Sequence, residues 1–72
     1  MNKIVVKPFR YSESGSPVEW HITAITEAGG SASKNSRRSA RKKACAALGA
    51  AFWYKNPPTQ EQVDAAMAEA QS

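Results

Sequence analysis

Along residues 18–27, VEWHITAITE, apolar and polar side chains alternate: Val18, Trp20, Ile22 and Ala24 against Glu19, His21 and Thr23. A period of two is that of a β-strand with one face on a core. Ile25 breaks the alternation, which predicts a bulge or a strand end there. Residues 3–11, KIVVKPFRY, are rich in β-branched and aromatic side chains and predict a preceding strand. Pro8 has no N–H to give to a ladder, so that strand should lie at a sheet edge or bend. The turn-rich SESGSP between them (12–17) makes an antiparallel hairpin the natural pairing.

The period then changes. AGGSASKNS (28–36) is loop by composition, with room for a short third strand at 31–34. A helix is predicted from about 36 to 54, with Asn35 or Ser36 as its N-cap. Ala40, Ala44, Ala47, Leu48 and Ala51 share one face, small enough for the helix to sit close on a sheet. KNPP (55–58) stops it. In TQEQVDAAMAEA (59–70), Thr59 and Gln62 fit a capping box. Val63, Ala66, Met67 and Ala70 recur at i, i+3, i+4, i+7 as an apolar helical stripe. The expected fold class is α+β: a small antiparallel hairpin, or three strands, packed by one long helix, plus a short C-terminal helix. Residues 1–56 form the basic domain, and 57–72 are an amphipathic helix of the same domain or a dimerisation element.

Charge changes this picture most. The 72 residues carry a net charge of +4, but it is unevenly spread. All ten Lys and Arg lie in residues 1–55, against Glu13, Glu19 and Glu27, whereas residues 56–72 hold Glu61, Asp64 and Glu69 and no base. The cations concentrate in SKNSRRSARKKACAAL (33–48), at the start of the predicted long helix. A helix N-terminus carries roughly half a positive charge and favours acids. The second helix obeys that rule with Glu61 and Asp64, and the first breaks it. Arg37–Arg41 and Arg38–Lys42 would repel at i, i+4 by about 0.2–0.5 kcal/mol per pair. A bound anion relieves both costs, and backbone N–H groups at a helix start bind phosphate readily. Lys34, Asn35, Ser36, Arg37, Arg38, Arg41 and Lys42 are therefore the candidate nucleic-acid-binding residues, with Ser31 and Ser33 as further hydroxyl donors.

SRRSARKKACAAL resembles the last helix of the double-stranded RNA-binding domain, whose pattern is roughly S-K-K-x-A-K-x-x-A-A. Ser36 stands at the Ser, Arg37 and Arg38 at the Lys pair, Ala40 at the Ala and Arg41 at the third base. Ala44 stands at the first paired Ala and Cys45 at the second. The resemblance implies that Arg37, Arg38 and Arg41 clamp phosphates across a duplex groove. The order strand, strand, helix also resembles small DNA-binding folds that place a sheet in the major groove, so duplex RNA and duplex DNA are both expected partners.

The remaining chemistry is sparse. Trp20 is expected in the core. Phe9 and Tyr11 flank Arg10; packing under a helix is the expectation and base stacking the alternative. Phe52, Trp53 and Tyr54 cannot all point inward from one helix, so at least one should be exposed or covered by the second helix. His21 is alone on the strand face opposite Trp20, and no metal site is expected. Cys45 is the only cysteine, which points to a reducing compartment and a structural thiol. No catalytic residues, enzyme activity or cofactor are expected. No apolar run suggests a signal peptide or membrane span, so a cytoplasmic protein is expected.

The alternative functional expectation is a small effector, similar as a class to accessory proteins of bacteriophages and mobile elements, including some anti-CRISPR inhibitors. It would dock on a host protein complex through the basic helix and exposed apolar residues. Trp53, Val63 and Met67 would supply that interface or a homodimer contact.

Overall fold

The computed structural model describes residues 2–54 and 56–71. The two predicted strands form as β1 (Lys3–Tyr11) and β2 (Pro17–Ile25), joined as an antiparallel hairpin. Gly15 closes the connecting turn at φ 88°, where its N–H donates to the Ser12 carbonyl at 2.9 Å. β1 is an edge strand, and its register with β2 slips between Pro8 and Tyr11. The missing proline donor and the edge position belong together, as the sequence suggested.

The third strand is longer than expected. β3 (Ser31–Arg37) pairs antiparallel with β2 along its whole length, from Ile25 opposite Ser31 to Glu19 opposite Arg37. The turn before it places Gly29 at φ 93°. The sheet order is β1-β2-β3. The long helix therefore starts later than the alanine spacing implied. A single 3-10 turn spans Arg38–Ala40, and the α-helix α1 runs over Arg41–Phe52. Asn35 and Ser36 are strand residues and cap nothing. The physical reason is two-sided. An α-helix from residue 36 would add Arg37 and Arg38 to Arg41, Lys42 and Lys43 at a positive dipole end, while a strand gives the same backbone a full ladder with β2.

The C-terminal helix α2 (Gln60–Gln71) starts with the expected capping box: Gln62 N–H donates to Thr59 Oγ1 at 3.1 Å, and Thr59 N–H donates to Gln62 Oε1 at 3.0 Å. Both helices contribute to one core on one face of the sheet. Ile4, Val6, Trp20, Ile22 and Ala24 meet Ala44 and Cys45 of α1 and Val63 and Ala66 of α2, with Trp53 from the α1 C-terminus. α1 lies against β2 and β3, and α2 lies against β1. Trp53 and Val63 are thus buried, and Met67 is half-buried against the same core. The three side chains expected at an interface thus pack on the chain's own core. Of the aromatic triplet, Phe52 is half-buried and Tyr54 exposed.

The approach between α1 and the linker depends on one glycine. A Cβ at Gly49 would lie 2.5 Å from Pro58 Cγ and 2.7 Å from its Cδ. The pyrrolidine ring cannot swing away as a flexible side chain would. Gly49→Ala should destabilise the protein by about 1–3 kcal/mol through overpacking, outweighing the roughly 0.8–1 kcal/mol gained in helix propensity. Urea unfolding of the variant measures the balance.

Candidate nucleic-acid interface

Three consecutive elements deliver the cations. The end of β3 places Arg37 in extended conformation at φ −80°, ψ 163°. The 3-10 turn presents Arg38, and the first turn of α1 holds Arg41, Lys42 and Lys43. That first turn has no acidic residue, and its Ala40 cap offers no side-chain hydrogen bond.

Arg41 is not on a solvated face. It is only 5% exposed, and its guanidinium carbon lies 4.1 Å from the centroid of the Trp20 ring, itself 4% exposed. Nε and Nη1 are buried without a hydrogen-bond partner among the described residues. Burial is the main influence holding the Arg41 pKa below the ordinary arginine value, and the neighbouring Arg38 charge adds to it. A cation–π contact returns about 0.5–2 kcal/mol, whereas desolvating an ion costs several. The site is therefore short of negative charge. A shallow groove opens beside it, lined by Ser16, Pro17, Arg37, Arg38, Ser39 and Arg41.

The other candidates are placed as follows. Lys34 is exposed on β3 and joins Lys43, Ala40 and Ala47 along a second groove between the free edge of β3 and α1. Asn35 Oδ1 accepts a hydrogen bond from His21 Nδ1 at 2.7 Å on the opposite face of the sheet from the core. Ser36 is buried, and its hydroxyl donates to the Arg37 carbonyl at 3.0 Å, so it is turned away from any phosphate. Lys42 Nζ lies 3.5 Å from Asp64 Oδ1 of α2 in an exposed pair, an arrangement worth under about 1 kcal/mol and easily exchanged. Arg37, Arg38 and Arg41 are brought together; Lys34 and Lys42 flank them; Asn35 belongs to another surface.

Two features escaped the sequence reading. The stacking of Arg41 on Trp20 was legible in principle, because Arg41, Ala44, Cys45 and Leu48 share i, i+3, i+4, i+7 spacing and put the arginine on the buried stripe. The solvent face of the sheet needs all three strands, and the sequence leaves room only for a short third strand at 31–34. Phe9 and Tyr11 prove 51% and 57% exposed, not packed under a helix, because both helices lie on the other face. Phe9 sits 6.1 Å from the His21 ring, centroid to centroid. Val18, at the start of the alternating run, is also exposed.

Cys45 is fully buried, and burial raises its pKa, outweighing the lowering by Arg41. No group of three or more His, Cys, Asp or Glu able to hold a metal occurs among the described residues. No helix among them is long and apolar enough to cross a membrane. Comparison with family models, curated proteins and solved structures finds no match to this chain.

Two outcomes follow from the buried groups. Arg41→Met keeps the chain length over Trp20 and removes the unpaired charge, so the variant should be at least as stable as the parent in anion-free buffer. Added phosphate should raise the Tm of the parent and not of the variant. For Cys45, the unfolded thiol gives up its proton first, so its contribution is complete below the unfolded pKa of about 8.5 and is lost as pH rises through the higher folded value. Urea titrations at neutral and alkaline pH should show that loss in the parent and its absence in Cys45→Ala.

Proposed function

We propose that this chain is a small basic nucleic-acid-binding module that grips the phosphate backbone with Arg37, Arg38 and Arg41, assisted by Lys34 and Lys42. The observation that carries the reading is the Arg41 guanidinium, stacked on Trp20 with Nε and Nη1 buried and without a hydrogen-bond partner among the described residues, in a groove it lines together with Arg37 and Arg38. A phosphate oxygen supplies the missing acceptor, and arginine's planar fork suits that geometry. The resemblance of residues 36–48 to the duplex-binding helix supports the same reading, and the excess of cations over residues 1–55 supports an anionic partner. The effector alternative would dock through other apolar residues than Trp53, Val63 and Met67, which pack on the chain's own core; Phe9, Tyr11, Val18 and Tyr54 are the large apolar side chains that are exposed.

The mechanism is electrostatic and largely independent of sequence: cations displace counterions from the duplex. Five contacts predict a log–log salt slope near −4 to −5 for B-form DNA. Fluorescence anisotropy with labelled duplexes should give that slope for the parent. Arg37→Gln/Arg38→Gln/Arg41→Met should bind at least tenfold more weakly, with a slope shallower by about three. Absence of binding at low salt would exclude the reading.

A further inference from the structure

β1 and β3 are the two edges of the sheet, and they are built differently. The β1 edge carries Pro8, and its register with β2 slips on both sides of Arg10. Such features stop an edge from pairing further. β3 has neither: its residues, SASKNSR, include no proline or glycine and pair with β2 in unbroken register. Hydrogen bonding alternates along an antiparallel pair. Thr26 N–H donates to the Gly30 carbonyl at 2.9 Å, next to the Ile25–Ser31 pair. The alternation therefore turns the even-numbered residues of β3 toward β2. The backbone N–H and C=O groups of Ser31, Ser33 and Asn35 face outward, where no strand among the described residues takes them. Ala32, Lys34 and Ser36 stand opposite Ala24, Ile22 and Trp20, on the helical side of the sheet. There α1 leaves a groove along the edge, lined by Ala40, Ala44 and Ala47 and by Lys34, Arg37 and Lys43. No acidic residue lines it.

We infer that the β3 edge is a docking site for an extended acidic peptide, which adds as a fourth strand and lays alternate side chains in this groove. The inference does not depend on the nucleic-acid reading, although it shares Lys34 and Arg37 with it. In strand addition, main-chain hydrogen bonds give affinity and the seats of alternate side chains give specificity. The outward edge of β3 presents both donors and acceptors. A peptide backbone answers both, whereas a phosphate only accepts. Ala40, Ala44 and Ala47 leave room for apolar side chains, and Lys34 and Lys43 seat carboxylates between them. Charge also decides which strand can pair there. A second copy of β3 brings Lys34 and Arg37 and no acid, so pairing of like edges sets cation against cation. α2, which carries Glu61, Asp64 and Glu69, is helical and lies against β1 at the other edge. The occupant is therefore a segment of another, acidic chain.

The test uses the full chain and a fluorescent, amidated peptide, Asp-Thr-Val-Thr-Glu-Thr-Val-Thr-Asp, beside a counterpart with Lys in place of each acid. Anisotropy at low salt should show the acidic peptide binding and the lysine peptide not. Lys34 and Lys43 are exposed. Lys34→Glu/Lys43→Glu should weaken the acidic peptide by about tenfold or more and make the lysine peptide the better ligand. That gain is a signal an unfolded variant cannot give. Two further acidic peptides are N-methylated at alternate residues, one on the threonines and one on the others. Strand addition expects one to bind like the parent peptide and the other to lose about tenfold or more, because its methyl groups replace the N–H donors facing β3. By ¹H–¹⁵N NMR, amide exchange at Ser33 and Asn35 should slow by about tenfold or more at saturation, with the β1 amides unchanged. Absence of acidic-peptide binding, equal behaviour of the two methylated peptides, or protection on β1 instead of β3 would overturn the inference. A DNA duplex titrated in parallel separates the two readings: peptide binding without duplex binding removes the nucleic-acid reading alone, and the converse removes this inference alone.

Discussion

The contact between the Arg41 guanidinium and the Trp20 ring, 4.1 Å from centre to centre, ties this small fold to its chemistry. Trp20 is the largest side chain that the sheet gives to the core, and Arg41 is the first residue of α1. Stacking one on the other fixes where the helix meets the sheet. It also buries Nε and Nη1 of the guanidinium with no hydrogen-bond partner among the described residues. The stability of a 72-residue chain is about 4–11 kcal/mol on the usual per-residue scale. Partial desolvation of the guanidinium, offset in part by cation–π attraction, weighs against a total of that size. An anion that completes the site would return much of the difference.

The neighbouring cations are spread over successive elements. A helix beginning at residue 36 would stack five bases on its positive end. The structure instead extends β3 through Arg37, spends three residues in a 3-10 turn and begins α1 at Arg41. Arg37, Arg38 and Arg41 then belong to three different elements and diverge around one groove. α2 completes the layer: its Val63 and Ala66 close the core, and its Asp64 approaches Lys42.

Much of the fold was legible in the sequence, for local reasons. The alternation around Trp20 gave β2, Pro8 gave an edge strand, and Thr59 with Gln62 marked the start of α2. β3 was less legible because Ser, Ala, Lys and Asn form no apolar alternation. Its strand character comes from pairing with β2 along seven residues, a tertiary effect. Trp53 and Val63 read as surface residues while the position of α2 was open, and the sheet's bare side emerged only with three strands in place. Within the candidate site, the identity of the cations was plain from composition. The burial of Arg41 and the withdrawal of Ser36 depend on where strand ends and helix begins, the least determined feature of a sequence.

The central claim is that Arg41 lacks an anion and that a phosphate supplies it. The most direct measurement is the side-chain Nε–H resonance of Arg41, followed by ¹H–¹⁵N NMR as a 20-base-pair duplex is titrated into the protein. The account predicts that this signal shifts by more than those of exposed arginines such as Arg10 and that its hydrogen exchange slows on binding. A duplex that binds and shifts the other arginines while leaving the Arg41 signal in place would contradict it.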